Sequence, residues 1–427
     1  MTHAPSSKTV LISGASIAGP ALALLLHRHG FTPTVVERAP ELRTGGYKVD
    51  IRGTAIEVCR RLGILDEVRA NSTDMDGGSY VDAQGRTIGV LPAEIFGGRT
   101  EGDDEIMRGD LARILYERTR DDVEYVFGDS IEALHDDGHG VDVAFESGRR
   151  RRFDLVVGAD GMHSNTRRLA FGDERRFTRY LGAYISIFSA PNRLGLTRWE
   201  TYHARPKKLI SVYSTAGEQA HTAKNLFVFS APEELSYDRR DTAAQKRLLA
   251  EAFAGDDWEI PRLIADAAEA EDFYFDTISL VEMDRWSTGR VVLVGDAAHC
   301  VSPAAGQGTG LALIGAYVLA GELAAAHGDH RTAFAAYERV MRPGVELNQR
   351  FAARFAKEMT VSSRWKIALR MAMVRTLPRT PWKNLIAKKI RDDIQRAANA
   401  IPLKEYGHEH GARPERHGAR RHASAPA

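Results

Sequence analysis

Cysteine is nearly missing from this chain. Cys59 and Cys300 are the only two in 427 residues. So few thiols argue against a disulfide framework and fit a reducing, cytoplasmic setting. Excess charge is missing too: 58 Lys and Arg stand against 57 Asp and Glu, a formal +1, which disfavours nucleic acid as a partner. No His/Cys spacing suits zinc, so no metal is expected, and no Gly-x-Ser-x-Gly elbow offers a nucleophile. There are no tandem repeats. Long hydrophobic runs are scarce. Gly308 to Ala326 is apolar enough for a membrane helix, but it holds Glu322 and several glycines. A buried helix is the better reading, without stable membrane insertion. Ile17 to Leu26 differs from a signal-peptide core because a strand and a glycine turn precede it.

Three glycine-bearing turns are present instead, each after an apolar run. Thr9 to Ser13 reads as a buried parallel strand. Gly14-Ala15-Ser16-Ile17-Ala18-Gly19 follows, then a helical stretch from Ala21 to Arg28 that Gly30 stops. Phe31 to Val36 is a second strand, ending at Glu37, with Arg38 a further candidate cofactor contact. This is a βαβ unit with an acid about 20 residues past the glycines, the pattern of a dinucleotide site. Gly14 permits a tight turn, and Gly19 lets helix and strand approach. The helix start around Ala18 offers free amides to a pyrophosphate. Glu37 can accept ribose hydroxyls. Ser16 replaces the usual middle glycine.

The second turn is Ala159-Asp160-Gly161, after a strand at Phe153 to Val157 and before a helix start at Ser164 to Arg167. Val123 to Phe127, Ser130 to His135 and Val141 to Phe145 are expected upstream as strands, with turns at Asp137-Gly138 and Ser147-Gly148 that suit a meander. The third turn is Gly295-Asp296, after the strand Arg290 to Val294. Ligands of open α/β sheets sit at such carboxyl ends. Pro303 to Gly308, with Gly306, then opens a long helix whose amides can face a negative group. His299 and Cys300 read as packing residues without a catalytic partner.

Between the second and third turns the pattern changes. Tyr184 to Phe188, Trp199 to His203, Leu209 to Tyr213 and Leu226 to Phe229 alternate like antiparallel strands with unlike faces. Tyr184, Phe188, Tyr202, Tyr213 and Phe229 are candidate substrate-wall residues, with plain core packing as the competing reading. The hairpin Tyr80 to Arg86 is assigned to the same domain. Beyond it, Trp365, Ala368, Leu369, Ala372 and Met373 share one helical face, and Ile386, Ile390, Ile394 and Ala397 mark another helix. These read as helices docked on the catalytic body, or as a membrane-surface or partner-binding element.

In this order and at these separations, the turns resemble class A flavoprotein monooxygenases, the family of para-hydroxybenzoate hydroxylase and the tetracycline-inactivating monooxygenases. The resemblance spans roughly residues 8 to 345 and includes Gly45 to Arg52 and Met107 to Leu111. It implies an α/β fold: a Rossmann-like FAD-binding domain (1–75, 105–175 and 280–345) with an inserted antiparallel β-sheet substrate domain (76–104 and 176–279). C-terminal helices (346–400) and a disordered tail (401–427) are expected after them. It implies FAD contacts by Arg52, Arg108, Asp160 and Asp296, with Pro303 to Gly308 facing the ring. It also implies NAD(P)H as co-substrate, molecular oxygen, and hydroxylation of an aromatic or polyketide-like small molecule through a flavin C4a-hydroperoxide. Baeyer–Villiger oxidation or epoxidation is the enzymatic alternative, and a flavin-containing drug-sequestering protein the non-enzymatic one. No Trp-x-Trp-x-Ile-Pro halogenase segment occurs. No catalytic acid or base is identified, and a monomer or homodimer is expected.

Overall fold

Continuous apolar runs become parallel strands buried on both faces. A computed structural model describes residues 7–43, 45–92, 100, 102–216, 220–359, 361–376, 380–381 and 383–407. Its six-stranded sheet runs Ser287–Thr288, Val291–Leu293, Leu155–Gly158, Thr9–Ser13, Thr32–Glu37, Glu124–Phe127. All neighbours are parallel except the first pair. Val10, Leu11 and Ile12 are fully buried, as a sheet covered on both sides requires. Helices Ala18–Arg28 and Gly308–Ala325 cover one face. A three-stranded antiparallel meander covers the other, packing Val141, Val143 and Phe145 on Leu11, Val36 and Val156.

The meander consists of Ile131–Asp136, Val141–Phe145 and Arg150–Phe153. The expected strand at 123–127 instead extends the parallel sheet beside Thr32–Glu37. The arginine run ahead of Phe153 hid the third meander strand, because only Phe153 in it is fully buried.

A seven-stranded sheet forms the second layer, in the order Tyr274–Val281, Thr178–Pro191, Thr222–Ser230, Lys208–Ser214, Trp199–Arg205, Gly77–Val81, Thr87–Pro92. Every pair is antiparallel except Trp199–Arg205 with Gly77–Val81. Side chains alternate across it. On one face Tyr184, Phe188, Phe227, Phe229 and Phe275 pack beneath helices Thr242–Ala252 and Ile260–Glu269. The other carries Ala183, Ile185, Ile187 and Val228, against which Tyr47 packs. Tyr184, Phe188 and Phe229 therefore belong to the helix-covered core and not to a substrate wall. Each contributes on the order of 2–3 kcal/mol of burial there, and the Tyr184 hydroxyl accepts Leu235 N at 2.7 Å.

Helix His330–Met359 runs unbroken through the expected domain boundary at 345, despite Pro343 within it. Helix Arg364–Thr376 turns Met371 inward and leaves Trp365, Leu369 and Met373 exposed, the reverse of the docking face expected. Its Val374 instead sits against Gly89 of the edge strand. Helix Lys383–Ala398 follows. The expected break at 377–379 and the segment 408–427 lie outside the described residues, as do the side chains of Ile386 and Ile390.

The stretch 401–407 corrects the expectation of a structureless tail. Ile401 is buried, Lys404 pairs with Glu322, and Tyr406 lies over Gly321 of the long apolar helix. Gly321 has no side chain to keep that ring away. The apolar helix is the one described helix long and apolar enough to cross a membrane, and 78% of it is buried.

Candidate active site

The three turns meet at the carboxyl edge of the parallel sheet. Gly14 has φ +111°, and a Cβ there would lie 2.5 Å from Ala159 O, so the first and second turns touch through bare backbone. A Cβ on Gly19 would lie 1.9 Å from Gly14 O, which makes glycine obligatory where helix meets strand. Gly295, at φ +63°, faces Ala18 with a would-be Cβ 3.3 Å away. The third turn thus closes on the first.

Two helices open onto this junction without a side-chain cap: Ala18–Arg28 after Ile17, and Gly308–Ala325 after Gln307. Their first-turn amides remain available for a negative ligand. Glu37 accepts Ala15 N and Ala39 N, both at 2.9 Å, and so fixes the loop at the end of its strand. Arg38 beside it is exposed. Ser16 accepts a hydrogen bond from Arg108 at 2.8 Å. The hydroxyl that replaces the middle glycine therefore anchors the arginine crossing from helix Arg108–Glu117.

Asp160 is tied into its own turn. Its carboxylate accepts Thr166 N at 2.8 Å, Thr166 Oγ1 at 2.9 Å and the Ser164 hydroxyl. It braces the turn against the helix start at Ser164 and Thr166.

Asp296 lies deep among its neighbours yet is open to solvent, the signature of a hollow inside the body. Its buried surroundings push the carboxyl upward, and nearby Arg108 opposes this. Tyr274 bounds the same hollow and is 42% exposed. Its hydroxyl donates to Asp276 at 2.9 Å. Burial pushes the Tyr47 phenol up to about 12. The loop around Gly306 comes within 3.5 Å of Asp50, measured from its would-be Cβ, and that at Gly308 within 3.7 Å of Asp296. Pro303 opens the short turn between them and the strand. Arg52 is 5% exposed and paired to Asp50 at 2.7 Å, but its Nε has no hydrogen-bond partner among the described residues. An orphaned guanidinium nitrogen beside an uncapped helix start suits the electron-rich end of a flavin. Glu37, Arg52 and the amides at Gly308 are groups that fit FAD.

His299 and Cys300 are both buried. Burial holds the imidazole down to about 4 and the thiol well above its usual range. The His299 ring lies tilted against Trp286, with ring centres 4.8 Å apart.

Sequence reasoning missed a buried ion cluster at the junction of the two layers. Lys48 contacts Glu200 at 2.6 Å and Glu105 at 3.3 Å. Tyr213 OH accepts Lys48 N at 3.0 Å, and the ammonium lies 5.0 Å from the Tyr213 ring centre. Tyr202 stacks on Tyr80 at 5.3 Å nearby. Tyr202 and Tyr213 thus keep their place on the face toward the turns. The missed signal was parity: Glu200 shares a face with Tyr202.

A family model described as an FAD binding domain matches residues 7–351. The chain belongs to that family. This FAD-binding protein is similar to a flavin-dependent monooxygenase from an unknown prokaryotic organism, 44% identical over 81% of this chain and 89% of the relative. A flavin-dependent monooxygenase from Legionella longbeachae is 36% identical over 93% of this chain and 98% of its own. Among solved structures, tetracycline destructase Tet(55) superimposes with a TM-score of 0.81 at 38% identity, covering 94% of this chain and all (100%) of that one. The FAD-binding protein is accordingly a flavoprotein of the monooxygenase type, with an α/β fold shared with these relatives.

Proposed function

We propose that this flavoprotein takes electrons from NAD(P)H and uses molecular oxygen to hydroxylate an aromatic or polyketide-like small molecule. Tetracycline-type antibiotics are the substrate class to which the similarity to Tet(55) points. The observation that carries the reading is the hollow holding Asp296, Tyr47 and Tyr274 beside the glycine turns.

Bound FAD supplies the redox chemistry between the nicotinamide and oxygen. The chain's own work is positional. Glu37 and the amides after Gly14 hold the nucleoside and pyrophosphate, and Asp296 holds the ribityl chain. Arg52 and the amides at Gly308 stabilise negative charge at the ring's pyrimidine end. Ile185, Ile187 and Val228 form a buried apolar backing behind Tyr47 that keeps water from that side of the site. Tyr202 and Tyr213 are the substrate-side aromatics. Segments 1–75, 105–175 and 280–345 hold the cofactor, and 76–104 with 176–279 hold the substrate. The two free, buried cysteines accord with a cytoplasmic enzyme.

The test is NAD(P)H consumption by the FAD-loaded protein with and without a panel of phenols and tetracyclines. The proposal expects substrate-stimulated consumption and a product heavier by a single oxygen atom. Flavin binding with neither response would identify a sequestering protein instead.

A further inference from the structure

A second hollow lies at the opposite, amino end of the parallel strands, away from the glycine turns. It is a cleft of about 640 Å³ between Ser287–Arg290 and the first turns of helix His330–Met359. Five arginines line it against two carboxylates, a local formal excess of three positive charges in a chain whose total is +1. Both carboxylates are already committed. Asp136 accepts Gly138 N at 2.8 Å and Arg290 N at 2.7 Å. Glu338 accepts Trp286 N at 3.0 Å and pairs with Arg342. Arg290 and Arg342 are committed as well, to Gly138 O at 3.0 Å and Asp284 O at 2.9 Å.

Arg285, Arg331 and Arg339 remain. Their guanidinium groups have no ion pair or hydrogen bond among the described residues, although they face one cleft. Concentrated like charge raises the energy of the empty cleft and attracts counter-ions. Guanidinium forks match phosphate oxygens two at a time, where an ammonium offers only a point charge. The volume falls within the roughly 300–1,000 Å³ of small-molecule sites. His330 lies at the cleft floor, 9% exposed, held below its ordinary range by burial and by Arg290. Asp329 opposes that shift.

We propose that this cleft is a second ligand site, separate from the flavin cradle, that takes a small polyanion carrying two linked phosphate groups. Arg331 and Arg339 grip one phosphate from the helix, and Arg285 reaches the other from the strand side.

Calorimetric titration of the FAD-loaded, full-length protein with sodium pyrophosphate, at constant ionic strength, tests this. The expected result is saturable binding of one pyrophosphate per chain. Inorganic phosphate should bind more weakly, and an Arg331→Gln/Arg339→Gln double variant should lose affinity by about tenfold or more. Both residues are exposed, so the unliganded variant should melt with wild-type protein and retain its flavin. Equal affinity in variant and wild type would overturn the proposal, as would no saturable pyrophosphate binding at millimolar concentration. Binding of poly-glutamate but not pyrophosphate would also overturn it, and would mark a docking face for an acidic protein.

Discussion

The two layers of this molecule encode their contacts in different ways. In the parallel layer the decisive residues are those without side chains. Gly14, Gly19 and Gly295 let three turns touch through backbone, and a single added carbon on Gly19 would overlap Gly14 O. In the seven-stranded layer the decisive variable is which face each side chain takes. Tyr184 and Phe229 differ from Tyr202 and Tyr213 less in chemistry than in parity, yet the first pair lies under helices and the second faces the turns. A cradle made by exclusion tolerates almost no change at its contact points. A sheet made by alternation tolerates change on one face in stability and on the other in function.

Substitutions can break that comparison. The largest effect is expected from Gly19→Val, which keeps the first turn from closing. Purified protein should be colourless, with flavin affinity down roughly a hundredfold or more, read from visible absorbance and flavin titration. Phe229→Ala should cost about 3–5 kcal/mol in denaturant unfolding and leave the substrate KM unchanged. A large KM change at near-native stability would return Phe229 to the substrate wall. Lys48→Met leaves Glu105 and Glu200 buried without their cation, at a cost of about 3 kcal/mol. Adding Glu200→Gln should recover part of it, and a non-recovering double variant would deny the pairing.

The smallest effect concerns the bridge between layers at His163. Its imidazole contacts Glu174 at 2.7 Å and Asp276 at 3.0 Å. Burial alone would lower it, but the two carboxylates outweigh burial and raise it from 6.5 to about 9. Folding therefore stabilises the protonated ring. The contribution is complete below pH 6.5 and is lost as pH rises through about 9. Melting temperature should fall by a few degrees across that window, and His163→Gln should flatten the slope. An unchanged slope in the variant would assign it to another group.

Much of the cradle was legible because its physics is local. A strand, a glycine turn and a helix start are neighbours in sequence, so Gly14 to Glu37 and Gly295 to Gly308 could be placed by spacing. Asp160 was found at the right turn, but its bonds to Thr166 and Ser164 were not foreseen, since those residues signal nothing by spacing. The sheet was legible as strands but not as faces. Alternation shows that Tyr184 and Ile185 point apart; it does not show which side the helices after residue 241 will cover. The same ambiguity reversed helix Arg364–Thr376, whose two stripes are both apolar. Lys48, Glu105 and Glu200 lie too far apart in sequence to announce a cluster, and only the ribbon Lys48–Ile51 with Asp104–Met107 brings the first two together.

The strap at 401–407 has one further consequence. It clasps the same helix whose opposite end is left uncapped toward the glycine turns. Anything that steadies one end of that rod steadies the other. Cofactor saturation should therefore shield the peptide bonds near Lys404 from proteases, and trimming the chain at residue 400 should loosen its hold on the yellow pigment.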